Sequence, residues 1–144
     1  MTLCNYRGYQ LTDAERILGE AAYVKDSSFR VRKNATVFNS TCIAKTKDDK
    51  SGKTGAIYFM IEDFTVEDSA RQLYAFFKNA NAHSGIETLE KLGDEAYFHT
   101  DTVNFMMIIA RKENKLLRLK VNKITSHTSL EEFNKIVGVI VSRL

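Results

Sequence analysis

The chain has 144 residues, 44% of them hydrophobic and 27% charged, with a formal net charge of +3. That length normally folds as one domain, here 1–144, and the balance excludes a disordered chain. So mild a charge argues against a nucleic-acid binder, and no apolar run is long enough to form a membrane-spanning helix.

Taken in order, Leu11-Thr12-Asp13-Ala14-Glu15 opens a first helix, in which Thr12 can accept from the Glu15 amide while Glu15 reaches back. Ala14, Ile17, Leu18 and Ala21 fall on one face, so this helix is expected over 13–23. Phe29-Arg30-Val31-Arg32 alternates with the period of a half-buried strand. Thr36-Val37-Phe38 and Thr41-Cys42-Ile43-Ala44 form a second strand or its continuation. Residues 45–55 are polar and predict an exposed hairpin tip. Within them Ser51-Gly52-Lys53-Thr54 lacks the first glycine of a phosphate-binding loop, since Lys47 stands there. A solvated turn is the better reading.

Residues 56–63 (AIYFMIED) are apolar on both faces until the end and predict a covered interior strand. Thr65-Val66-Glu67-Asp68 repeats the capping pattern, and Val66, Ala70, Leu73, Tyr74 and Phe77 make the buried stripe of a second helix ending near Asn79. The stretch 91–123 organises the remainder. Leu92-Gly93-Asp94-Glu95 is a turn, Ala96-Tyr97-Phe98-His99 a short strand, and 104–111 (NFMMIIAR) a central strand covered on both sides. Glu113-Asn114 predicts a two-residue hairpin turn. The returning arm places Leu117, Leu119 and Val121 inward and Arg118, Lys120 and Asn122 outward. Ser129 caps a last helix carrying Leu130, Phe133, Ile136, Val137, Ile140, Val141 and Leu144. Strand runs separated by helices imply an α+β fold, a mainly antiparallel sheet flanked by three helices.

Few residues suggest chemistry. Cys4 and Cys42 are too few for a disulfide scaffold and have no metal-ligand spacing, so they are either two free thiols or one bridge. A bridge would stabilise the fold by about 3–4 kcal/mol through loop closure. His83, His99 and His127 are scattered and are expected on loops or the surface. Asp94 and Glu95 could pair for acid/base work, but neighbours on a strand point to opposite faces, so a structural turn is preferred. Met106 and Met107 beside Phe105 could line a ligand cleft, with core filling the simpler role. Basic residues gather on the last hairpin. Arg111, Lys112, Arg118 and Lys120 are the candidate binding residues, against the alternative of a solvated sheet face.

Cys4 ahead of Leu11-Thr12-Asp13-Ala14-Glu15-Arg16-Ile17-Leu18-Gly19, Cys42 in a strand, Leu92-Gly93-Asp94-Glu95-Ala96-Tyr97-Phe98 and the Arg111-Lys112-x-Asn114 hairpin occur in this order. Together they resemble a family of small bacterial exported proteins, often lipoproteins, of unknown function. The resemblance implies a periplasmic or extracellular location with a signal peptide removed, a sheet-and-helix layering like the α/β/α sandwich of PsbP-type photosystem subunits, and a Cys4–Cys42 bond. It implies no catalytic residues and no cofactor. The chain departs from the family pattern at Lys91 and Glu113, where glycine is usual, and at Ala44, where an aromatic is usual. No lipobox precedes Cys4. The expected function is therefore a non-enzymatic exported domain that binds a protein or small ligand. A cytosolic regulatory or polyanion-binding domain is the alternative, and a hydrolase-type enzyme ranks below both.

Overall fold

The computed structural model describes residues 9–82 and 85–144. Its elements are α1 (Leu11–Leu18), β1 (Ala22–Val31), β2 (Ala35–Ala44), β3 (Ala56–Phe64), α2 (Glu67–Ala80), β4 (Ile86–Leu89), β5 (Glu95–Thr100), β6 (Phe105–Lys112), β7 (Lys115–Asn122) and α3 (Leu130–Ser142). The strands form one antiparallel sheet in the order β1-β2-β3-β7-β6-β5-β4. The fold is α+β, an antiparallel sheet flanked by three helices. Two meanders, β1–β3 and β4–β7, are joined by α2, and β7 closes the seam against β3 from Ile57 opposite Val121 to Asp63 opposite Lys115.

The alternation of side chains along the strands builds two different faces. Phe38 and Cys42 of β2, Phe59 and Ile61 of β3, Ile108 of β6 and Leu117 and Leu119 of β7 lie on the face covered by α1 and α3. These helices add Ile17, Leu18, Phe133, Val137 and Ile140, and each side chain fully buried there contributes about 1.5–3 kcal/mol. Tyr9 stacks on Phe59 at 4.2 Å between ring centroids. On the opposite face α2 lays Ala70 and Tyr74 over Phe64, Tyr97, Ile109 and Leu116.

Several boundaries differ from the pattern-based expectations. The first helix stops at Leu18 because Gly19 turns left-handed (φ 74°), and a Cβ there would lie 2.0 Å from the His127 carbonyl oxygen. Residues 22 and 23, expected in that helix, begin β1. The helix is capped earlier than Thr12: the Gln10 N–H donates to the Asp13 carboxylate at 2.9 Å, and Glu15 accepts from the Ala22 amide instead. β1 is an edge strand, so Phe29 and Val31, read as half-buried, are 58% and 77% exposed. β4 was not legible in the sequence as a strand; it is a four-residue edge. Val66, placed in the stripe of α2, is its exposed N-cap residue, and no side chain caps that helix. α3 starts as expected, with Ser129 Oγ accepting from the Glu132 amide at 3.1 Å.

The 45–55 segment is only partly the solvated turn that its composition predicts, because Asp48 is buried. Asp48 accepts from the amides of Lys50 and Ser51 in its own loop and from the amide and hydroxyl of Ser126. The loop is thereby pinned to the connection between β7 and α3. These bonds, first from Ser51 and then from Ser126, hold the Asp48 carboxyl far below the usual carboxylate range.

Candidate functional site

The α2 face of the sheet is covered at only one end. In the register, Asp26, Thr41, Tyr58, Lys120, Met107 and His99 stand side by side on successive strands from β1 to β5. The next row is Ser28, Asn39, Met60, Arg118, Ile109 and Tyr97, and α2 reaches across it only as far as Arg118, whose guanidinium lies 4.6 Å from the centroid of Phe77. Beyond that contact the face is open. The result is a cleft of about 360 Å³ lined by Asn39, Ser40, Thr41, Tyr58, Phe59, Met60, Met107, Arg118 and Lys120. That volume falls within the roughly 300–1,000 Å³ of small-molecule sites.

The floor of the cleft is apolar and its charge is unbalanced. Tyr58, 43% exposed, with half-buried Met60 and Met107, gives it a flexible, polarisable surface. Arg118 donates to Glu62 Oε1 at 2.7 Å and also rests on the Met60 sulfur. Lys120 lies 5.0 Å from the Phe105 ring centroid and has no carboxylate partner among the described residues. Asn39 accepts from the Ser28 hydroxyl through Oδ1, which leaves its amide N–H groups as donors. Arg118 Nε and His99 Nδ1 are buried with no hydrogen-bond partner among the described residues. Among the described residues no carboxylate lines the cleft.

The four basic residues singled out in the sequence divide among three places. Arg118 and Lys120 come together in the cleft. Arg111 is buried under the start of α2, its Nε donating to Glu95 at 2.6 Å and Nη1 to Asp94 at 3.4 Å and to the Glu113 carbonyl at 2.9 Å, with Glu67 at 3.9 Å. Lys112 follows it on β6 and faces the other side, beside the 91–94 turn and α3. Asp94 and Glu95, expected to diverge, converge on Arg111 instead, because Asp94 precedes β5 and the guanidinium spans both. Asp94 also accepts from the Glu113 amide at 2.6 Å. Gly93 turns left-handed there (φ 64°), as the turn reading requires.

The histidines also differ from expectation. His99 is buried on β5, edge-on to Phe105 at 5.0 Å, rather than on a surface. His127 lies in a loop 3.5 Å from Asp48. His83 falls outside the described residues. So does Cys4, and with it any bond to Cys42, which is buried on the α1/α3 face. Met106 fills that same core, whereas Met107 lines the cleft and also packs against the cluster under α2. The floor residues Tyr58, Met60 and Thr41 went unnoticed as a site. The signal available was the polar pair Asn39-x-Thr41 at alternate positions of β2, on a face that a wholly covered sheet would fill with aliphatics; Tyr58-x-Met60 on β3 gives no such signal.

Among the described residues no group of His, Cys, Asp and Glu could hold a metal ion, and no helix is long and apolar enough to cross a membrane. No protein-family model, curated protein or solved structure matches the chain.

Proposed function

We propose that this domain is a non-enzymatic binding module and that its site is the open half of the α2 face. The observation that carries the reading is the mismatch within one sheet face: Ile109, Leu116 and Tyr97 are sealed by α2, while Tyr58, Met60, Met107 and Lys120 floor an open cleft. Antiparallel sheets often leave one face to solvent, but that face is then usually polar, so an apolar floor left open is what supports the reading. An apolar floor with a few convergent donors is the usual make-up of a small-ligand site. The resemblance drawn from the Cys4, Leu92–Phe98 and Arg111–Asn114 motifs adds an exported location to this proposal.

Fragment screening by amide chemical-shift mapping tests the site. The expected result is a set of hits shifting the amides of Asn39, Thr41, Tyr58, Met60 and Met107. Hits gathering instead in the groove between α1 and α3, around Asp13, Arg16 and Lys135, would overturn the assignment.

A further inference from the structure

We infer that the cleft takes an organic anion with an apolar body, its acidic group at Lys120 and its hydrocarbon along Tyr58, Met60 and Met107. The inference rests on the binding reading above and names the ligand class.

Charge decides the class. Of the two cations in the cleft, Arg118 is engaged by Glu62, and Lys120 has, among the described residues, only an aromatic ring beneath it. The site therefore holds one uncompensated positive charge. The one carboxylate in the same cross-strand row is Asp26, exposed on β1, three strands away from Lys120. At about 4.8 Å per strand that is roughly 14 Å, beyond the screening length of about 8 Å in physiological salt. Asp26 does not neutralise the cleft.

Phe105 holds the ammonium by a cation–π contact, which fixes its position without using its hydrogen-bond donors. An arriving carboxylate, sulfonate or phosphate oxygen therefore meets a positioned, unspent donor. Tyr58, directly opposite Lys120 in the register, sets its ring and hydroxyl on the neighbouring strand of the same floor. The floor suits the rest of the ligand for a different reason. Methionine thioethers adapt to varied shapes, and Tyr58 offers a flat apolar surface with little rotamer entropy to lose. Inorganic anions use only the first half of this arrangement and neutral hydrocarbons only the second. A molecule carrying both groups uses all of it.

Calorimetric titration with decanoate and with 1-decanol, both below their aggregation concentrations, separates these contributions. Decanoate is expected to bind at least about tenfold more tightly than 1-decanol, the worth of one charge-assisted hydrogen bond. Lys120→Met is expected to abolish that preference while leaving 1-decanol binding in place. Because 1-decanol binding is retained, the variant's fold is verified in the same experiment. Equal affinities for the two ligands in the native protein would overturn the anion inference and leave the binding reading standing. Failure of both ligands to bind would overturn the inference and, with it, the cleft as the site.

Discussion

Neighbouring residues of β3 meet opposite fates. Phe59 faces α1 and α3, is 1% exposed and stacks on Tyr9, whereas Met60 faces the open end of the α2 side beside Arg118. The first face is a largely apolar layer from Phe38 through Leu119 to Ile108, with Ser40 buried in it, and both of its helices are spent on closing it. The second is closed by one helix at one end and left polar, cationic and methionine-lined at the other. The difference teaches that the packed core and the proposed site lie on opposite sides of a single sheet. One side chain therefore faces the core while the next faces the open cleft.

Substitutions at this pair give the largest contrast. Phe59→Ala should cost about 3–5 kcal/mol in urea unfolding, because it removes a packed ring and leaves a cavity. Met60→Ala should cost less than about 1 kcal/mol and act on ligand binding instead. Similar losses at both positions would erase the distinction between the faces.

The covered end of the α2 side should respond next. Arg111→Met leaves Asp94 and Glu95 facing each other without their shared cation and frees the start of α2. Since both carboxylates are partly exposed, the expected loss is about 1–3 kcal/mol, below that of a fully buried pair. The same denaturation curves measure it. No loss would mean that the ion-pair cluster, despite its burial, does not help to hold α2 on the sheet.

A smaller effect sits in the hairpin beyond that cluster. Glu113 has φ 54° and Lys91 φ 61°, both in the left-handed region that costs a side chain about 1 kcal/mol. Glu113→Gly should raise stability by about 0.5–1 kcal/mol, less the extra chain entropy of glycine, and should leave ligand binding unchanged. A destabilised variant would show that the Glu113 side chain does more than occupy the turn.

Acid response sharpens the picture of the α1/α3 side. Asp48 titrates well below its unfolded value in the folded protein. Its contribution is therefore complete above the unfolded carboxylate pKa of about 3.9 and is lost as pH falls towards the folded value. Asp101, held by the amides of Asn104 and Phe105, behaves in the same sense. Asp48→Asn should remove about one proton from the uptake that accompanies acid unfolding, seen as a shallower fall of stability with pH below about 4. An unchanged slope would remove Asp48 from that account.

Much of the architecture was legible in the sequence because it depends on local periodicity. The interior places of β3 and β6, the clean alternation of β7 and the Ser129 cap of α3 all survive in the structure, but β3 and β6, expected to be covered on both sides, leave Tyr58 43% exposed and Met107 half-buried on the open half of the α2 face. What failed was set by distant partners. α1 ends where the His127 carbonyl presses on Gly19, Asp48 is buried by Ser126, and β4 becomes a strand only because β5 is there to pair with it. The candidate site was half legible. Arg118 and Lys120 could be read as outward-facing, but nothing local shows that β7 lies against β3, which brings Tyr58 and Met60 beside them. Nor could sequence separate Arg111 from that group, since its carboxylates are gathered from Asp94, Glu95 and Glu67.

A crystal structure of the domain grown with saturating decanoate tests the central claim most directly. The expected density places the carboxylate within hydrogen-bond reach of Lys120 Nζ and the chain along Tyr58, Met60 and Met107. Decanoate lodged in the α1–α3 groove, with the open half of the α2 face bare, would contradict it.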